Sequence, residues 1–424
     1  MCYYSNVVVK RKQTKNIQTA LKATANKTRI FLDYASVTPI DPEVEREMVK
    51  VQKQFWANPS SLHQEGEKAK TILEESRVKI AKILHCKAGE IFFTSGGTES
   101  LNIAILGTVK VFPQKKQKFL PHIIVSTIEH PAVLEPIKFL SQEGEVEVSF
   151  VNPDQNGRIH PESIKKELKE NTVLVIVQHA NSEIGTIQPI RAISKVVKNF
   201  REFKKTKLPK TENESLFYAT PYFLVDACQS ALYEDVSLER LGADLLVLDG
   251  VKIYGPRGAG ILAKKSEVKI SPIIFGGGQE EGLRSGTENI ASALGLAKAL
   301  EIAEKKREKE KERLTNLRDY TIKKILEIEN SSLNGDLENR LPNNINVCIP
   351  DQDSEFLVIK LDTLGFAISA ASACHTLALE NSSYVIESLG KKECASSSLR
   401  ITLGRDTRKS DLDGFISVLK KVIK

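Results

Sequence analysis

The chain has 424 residues, 41% hydrophobic and 27% charged, which is enough apolar content for a large core and enough length for two domains. No apolar run approaches the roughly eighteen residues of a membrane-spanning helix, and the regular helix and strand patterns exclude a disordered chain. The formal net charge of +7 sits in one place, since residues 1–32 carry seven Lys or Arg and no acid, so the body of the chain is not shaped for nucleic acid.

Residues 1–29 read as a basic, solvated N-terminal extension. An organellar presequence is the other reading, opposed by an excess of Lys over Arg and by little Ser. Cys2, Cys86, Cys228, Cys348, Cys374 and Cys394 lie at wide, irregular spacings with no CxxC pair. That predicts reduced thiols in a cytosol-like compartment, with neither a disulfide framework nor a metal site.

Phe31-Leu32-Asp33-Tyr34 opens the globular part, and Ala35-Ser36-Val37-Thr38-Pro39 is a turn. Asp41–Phe55 and Leu62–Leu84 have the periodicity of amphipathic helices. Phe92-Phe93-Thr94-Ser95-Gly96-Gly97-Thr98-Glu99-Ser100 reads as a strand, a glycine turn and a helix start, whose free amides, with the Ser95 and Thr98 hydroxyls, suit a phosphate dianion. Ile123–Ser126 is a strand followed by Glu129-His130, on the edge where ligands bind in open α/β sheets. Taken alone, His130 reads more often as a generic loop histidine. Val146–Phe150 and Val173–Val177 are further strands, the second leading into His179-Ala180-Asn181-Ser182-Glu183. Strand and helix patterns alternating over residues 90–270 predict a mostly parallel sheet.

Residues 204–221, rich in Lys, Pro, Glu, Asn and Ser, read as a surface insertion. Tyr222-Phe223-Leu224-Val225 is a strand that delivers Asp226, a carboxylate able to hold a proton on a pyridine nitrogen. Leu245-Leu246-Val247-Leu248 leads through Asp249-Gly250-Val251 to Lys252. An ammonium partly desolvated at a buried strand end is a usable amine nucleophile, and the aldehyde of pyridoxal phosphate is its commonest biological partner. A lone Lys after a strand is more often a surface residue; Asp226 and the glycine turn shift that balance. Glu301–Asn330 is a charged linking helix, followed by Asn344–Val347, Glu355–Asp362 and a helix over Asp411–Val422. Ala367–Thr376 is a run of small residues carrying Cys374, in contrast to the core-type Cys348 beside Ile345 and Val347.

From about Ile30 to its end the chain resembles the pyridoxal-phosphate-dependent cysteine desulfurases of the class V aminotransferase superfamily, long-active-loop type. The resemblance is carried by Phe31–Pro39, Asn58-Pro59-Ser60-Ser61, the TSGGTES turn, Glu129-His130, His179–Gly185, DACQS, VKIYGP, Gly276–Thr287, Ser372-Ala373-Cys374 and Leu399–Arg405. It implies an α/β protein of the fold type I transferase class, a mostly parallel central sheet sandwiched by helices. Residues 40–300 would form the large cofactor domain, and 30–39 with 301–424 a smaller α+β domain carrying the cysteine loop.

The resemblance implies that Lys252 bonds the cofactor aldehyde and moves protons, His130 stacks on the ring, and Asp226 keeps its nitrogen protonated. Gln229 and Ser182 would reach the phenolic oxygen, and Gly97, Thr98 and, from a partner subunit, Thr287 the phosphate. Arg400, with Asn58 and Ala35 at the mouth, would hold L-cysteine, and Cys374 would take its sulfur as a persulfide, releasing alanine. Also implied are a homodimer, a cytoplasmic location (or an organellar matrix if the basic N-terminus is a presequence), and delivery of sulfur for iron–sulfur clusters or other thio-cofactors. The chain ends two residues past Val422, short of the tail through which some members grip an iron–sulfur scaffold, which counts against that acceptor. No membrane, nucleic acid or metal is implied.

Three positions depart from the pattern. Ser182 replaces Asn, and Asp249 and Val251 replace the Ser and His that usually serve the phosphate, so Asp249 is expected to turn away, pair with a cation or weaken cofactor binding. Two other readings share the same residues: a related enzyme of this fold, such as a selenocysteine lyase or a transaminase, and a non-catalytic relative kept for interactions.

Overall fold

The computed structural model describes residues 29–112, 120–206, 219–370 and 382–423. The strands are β1 (Ile30–Phe31), β2 (Ile91–Thr94), β3 (His122–Ser126), β4 (Glu147–Val151), β5 (Thr172–Ile176), β6 (Tyr222–Asp226), β7 (Leu245–Asp249) and β8 (Gly260–Lys264), then β9 (Ser332–Leu333), β10 (Asn344–Cys348), β11 (Phe366–Ala367), β12 (Ser369–Ala370) and β13 (Ser398–Thr402). Seven of them form one sheet in the order β2-β8-β7-β6-β5-β3-β4. β8 is antiparallel to both its neighbours, and every other adjacent pair is parallel.

Because successive side chains point to opposite faces of a strand, a continuous apolar run such as Leu245–Leu248 supplies two cores at once. Leu246 and Leu248 join the larger core with Phe223, Val225 and Ile261, while Leu245 and Val247 join a second with Tyr222, Leu224 and Leu262. Helices cover both faces, and the C-terminal ends of β3, β5, β6 and β7 all open on one edge. That edge receives His130, Gln178, Asp226 and Asp249, the location expected of a ligand site in such a sheet.

A four-stranded antiparallel sheet, β12-β13-β10-β9, lies in the C-terminal part. The start of the globular chain is tied to this part: β1 runs parallel to β11, and Thr402 N–H donates to Leu32 O at 2.8 Å. Residues 33–38 therefore emerge from the smaller sheet and lie across the edge of the large one. Among the described residues no helix is long and apolar enough to cross a membrane.

Three expectations are corrected. The charged linking helix runs over Ile290–Ile325, starting eleven residues before Glu301, because Asn289 caps it by accepting from Ser292 N–H at 3.0 Å and its first turns are buried Ala, Leu and Ile. The charge run had marked only its solvated half; at the far end Asn330, with φ 59°, already lies outside it. Residues 204–206, assigned to the insertion, complete the helix Ile190–Thr206, and residues 207–218 lie outside the described part. The thiols are not all reduced either: Cys348, at the end of β10, is disulfide-bonded to Cys394 with their Cα atoms 5.3 Å apart. Wide sequence spacing hid a pair that the strand and a short 3-10 turn bring together.

The Gly276–Thr287 segment is held by a buried ion pair. Arg77 donates through Nη1 and Nη2 to the two Glu280 oxygens, both at 2.8 Å, and Phe93 N–H of β2 donates to Glu280 Oε2 at 2.8 Å. The fork fixes Glu280 and Glu281 in left-handed conformations, φ 50° and 55°, that side chains seldom adopt. Replacing Arg77 by Met leaves a carboxylate buried without its partner, and should lower the unfolding free energy by about 3–5 kcal/mol. Urea unfolding measures this; a loss under about 1 kcal/mol would mean that the loop does not depend on the pair.

Candidate active site

Lys252 ends a short 3-10 turn, Gly250–Lys252, that follows β7 directly. Its half-buried ammonium donates to two backbone carbonyls of the turn crossing the sheet edge, Ala35 O at 2.9 Å and Ser36 O at 2.6 Å. Gln229 Nε2 donates to the same Ala35 O at 2.9 Å, and Thr38 both accepts and donates against the Lys252 turn, through Tyr254 N–H (2.7 Å) and Val251 O (2.8 Å). The mouth is thus stitched to the lysine turn by the side chains of Lys252, Gln229 and Thr38, each bonded to backbone groups.

Asp226 stands one strand away, at the end of β6, with Oδ1 accepting from Cys228 N–H at 3.0 Å. His130 caps the helix Pro131–Gln142, its Nδ1 accepting from Ala132 N–H at 3.1 Å, which places the ring proton of the neutral form on Nε2. The adjoining Glu129 is fully buried. Its carboxyl accepts from Ser126 Oγ and from Gln178 N–H (3.0 Å), and burial pushes its pKa up to about 8. The Cys228 thiol is pushed well above its ordinary value, by burial first and then by Asp226 and Asp249, with Lys252 opposing. One thiol feels all three groups because they surround it.

The glycine turn meets Asp249. Gly97 N–H, the first amide of the helix Gly97–Val111, donates to Asp249 Oδ2 at 2.8 Å, and Oδ1 accepts from Val251 N–H at 3.0 Å. Asp249 therefore neither turns away nor seeks a cation; it takes a place at the helix start. Gly96 adopts φ 151°, and a Cβ built on Gly97 would lie 3.0 Å from Cys228 Sγ and 3.2 Å from Asp249 Oδ2, so only glycine fits this cradle. Thr98 and Glu99 follow with amides that have no partner inside the helix. The Ser95 amide is taken by Glu99 Oε2 (2.9 Å), whose carboxylate is paired with Arg284 (2.7 Å). Lys252, Asp226, Gln229 and His130 suit an aldehyde-bearing pyridine ring, and the cradle suits its phosphate except where Asp249 stands.

Across the mouth, Arg400 of β13 is buried. Nη2 donates to Asp33 Oδ1 at 2.9 Å and to Ser36 Oγ at 2.8 Å, Nη1 donates to Ser182 O at 3.3 Å, and Nε has no acceptor among the described residues. Ser182 thus meets Arg400 through its carbonyl. Glu183 is also buried, pushed up to about 8 by burial, with the Ser383 hydroxyl bonded to its carboxyl and Arg400 pulling the other way.

One expected residue stands apart: the exposed Asn58 closes a local turn by accepting from Ser60 N–H at 2.9 Å. The exposed Thr287 lines a cavity of about 210 Å³ with Arg284 and with Ser95 of the glycine turn. Cys374 lies outside the described residues. Sequence reasoning missed Asp33, Ser36, Glu129, Glu183 and Ser383 as site components. Asp33, Ser36, Glu129 and Glu183 stood within motifs already singled out, but no role was given to them there; Ser383 stood in none.

Comparison with known proteins agrees with this geometry. The model of the class-V aminotransferase family matches residues 30–204 and 218–415. Cysteine desulfurase IscS of Dictyoglomus turgidum is 41% identical over 399 residues, covering 94% of this chain and 95% of the relative. Cysteine desulfurase IscS 1 of Archaeoglobus fulgidus is 40% identical over 393 residues, covering 93% and 96%. Among solved structures, a NifS-like protein superposes with a TM-score of 0.82 at 30% identity, over 93% of this chain and 99% of its own. SspA in complex with cysteine does so with 0.72 at 31%, over 89% and 99%. With its family model spanning nearly the whole described chain and such relatives at this identity, the protein belongs to the class-V aminotransferase family, among the cysteine desulfurases.

Proposed function

We propose that the protein converts L-cysteine to L-alanine, passes the sulfur to Cys374 as a persulfide, and supplies it to an acceptor protein for iron–sulfur clusters or other thio-cofactors. The observation that carries this reading is Ser36. Its carbonyl accepts from Lys252 Nζ and its hydroxyl from Arg400 Nη2, so a nucleophilic amine and a buried guanidinium are one residue apart. An α-amino acid presents a carboxylate one carbon from the atom that reacts, and matches that spacing.

Pyridoxal phosphate, when bound, supplies the electron sink that weakens bonds at the substrate's α-carbon. Lys252 would hold it by its aldehyde, Asp226 would hold the proton on its ring nitrogen, His130 would lie against the ring, and Gln229 and Ser182 would serve its phenolic oxygen. Gly97 and Thr98 would hold its phosphate, with Thr287 reaching across from a second copy. Arg400 would orient the substrate carboxylate with Nε and the remaining Nη1 hydrogen. Lys252 returns protons at the α- and β-carbons. As the Cys374 thiolate takes the substrate sulfur, the carbon–sulfur bond breaks, a sulfur–sulfur bond forms, and the β-carbon gains a proton.

Among the described residues the other thiols are poor candidates. Cys86 is pushed up to about 12 by burial and Glu90, Cys228 is pushed up as described, and Cys348 and Cys394 are bonded to each other. Both flanks of the stretch that holds Cys374 meet the site. Ala370 pairs with Leu399 beside Arg400, Ser383 bonds Glu183, and Tyr384 Oη donates to Glu129 O. Cys374 lies four positions beyond Ala370, a reach of at most about 14 Å. Trp56, Leu62 and Phe275, 78%, 95% and 77% exposed, support a homodimer that covers them. The cytoplasm is the location consistent with this use of sulfur.

Lys252→Ala should lose the visible absorbance of the bound cofactor and all alanine release from L-cysteine. Cys374→Ser should keep the absorbance and lose alanine release measured with a mild reductant, because a hydroxyl accepts no sulfur. Undiminished alanine from Cys374→Ser would move the assignment to a lyase that uses no protein thiol.

A second expectation concerns Glu183, whose folded value of about 8 stands above its ordinary 4.5. A raised carboxyl gives stability that is complete below the unfolded value and is lost as pH rises through the folded one. The melting temperature of the parent minus that of Glu183→Gln should therefore fall steadily from about pH 5 to about pH 9. A difference constant over that range would show that the carboxyl is not held neutral.

A further inference from the structure

We propose that Asp249 is an internal competitor for the cofactor's phosphate: its carboxylate occupies the helix-start amide that the phosphate needs, so this chain selects weakly for a phosphorylated pyridoxal. The inference rests on the function proposed above and concerns one residue's effect on it.

The two carboxylate oxygens do separate work. Oδ1 accepts from Val251 N–H at 3.0 Å and so shapes the turn that ends in Lys252. Oδ2 accepts from Gly97 N–H at 2.8 Å, across 152 residues of sequence, and so closes the start of a fifteen-residue helix. An anion there complements the helix dipole and the open amides, which is also what a phosphate oxygen would do. The carboxylate sits close against the turn: Cβ positions built on Gly96 and Gly97 fall 3.4 and 3.2 Å from Oδ2, and Cys228 Sγ lies 3.0 Å from the latter. Asp226 adds a second carboxylate nearby, since both it and Asp249 bear on the Cys228 thiol. Arg284, the cation nearest in role, is already paired with Glu99 at 2.7 Å.

An entering phosphate must therefore displace Oδ2 from Gly97 N–H or bind beside it against like charge. Either course spends affinity on the phosphate and none on the ring. In a half-buried cradle, contact between a carboxylate and a dianion corresponds to roughly one to two orders of magnitude in binding. The same contact holds the helix start in place when no ligand is present, so the carboxylate has a stabilising role in the free protein and a costly one in the loaded protein.

The test compares the full-length parent with Asp249→Ser and Asp249→Asn, all stripped of cofactor. Ser keeps an acceptor for Val251 N–H. Asn keeps the shape, removes the charge and offers its amide to the phosphate. Pyridoxal phosphate and unphosphorylated pyridoxal are titrated separately by visible absorbance, and melting temperatures are taken with and without inorganic phosphate. Both variants should bind pyridoxal phosphate about tenfold or more tightly than the parent while their affinity for pyridoxal changes less than about threefold. The free variants should melt lower than the free parent, and inorganic phosphate should restore them more than it stabilises the parent. A purely structural Asp249 would give the lower melting temperature with no gain in selectivity, and that result would overturn the proposal. Absorbance changes with neither aldehyde, in the parent and in both variants alike, would instead overturn the cofactor reading and this inference with it.

Discussion

The site depends on one docking contact, the seating of residues 35–38 on the turn that carries Lys252. The ammonium holds two carbonyls of that segment, Gln229 shares one of them, and Thr38 is bonded to Val251 and Tyr254. The segment is tied to the smaller sheet by Leu32 and Asp33 against Thr402 of β13, while the lysine follows a strand of the large one. Lys252, Gln229 and Thr38 thus join the two parts of the chain, the lysine through two backbone carbonyls of the segment.

From that contact the polarity of the cleft follows. Arg400 brings a second positive charge to Ser36 beside that of the lysine, and it is steadied by Asp33. The deeper carboxyls, Glu129 and Glu183, are kept near neutrality by burial, so they orient neighbours without drawing the guanidinium from a substrate. Ser383 and Tyr384 use those same glutamate residues as anchors. The return of the chain from the cysteine stretch is therefore fixed to the substrate side of the site.

Much of this was legible in the sequence, for a physical reason. A buried parallel strand must be apolar on both faces, so Tyr222–Val225 and Leu245–Leu248 announced themselves, and the polar residue that ends each of them had to lie on the sheet edge. What stayed hidden depends on distant partners. Arg77 and Glu280 read as surface charges until the fold pairs them, and the apolar start of the helix Ile290–Ile325 was masked by the charge run behind it. Asp249 was read as an intruder beside a phosphate; its tie to Gly97 could not be inferred, because it spans two strands that are not neighbours in the chain.

The central claim is that Lys252 is the amine that takes the cofactor. It is tested most directly by adding pyridoxal phosphate to the purified protein, reducing with borohydride, and mapping the pyridoxyl mass on digested peptides. The account predicts one stoichiometric adduct, on the peptide containing Lys252. An adduct on another lysine, or none while Lys252 remains unmodified, would contradict it.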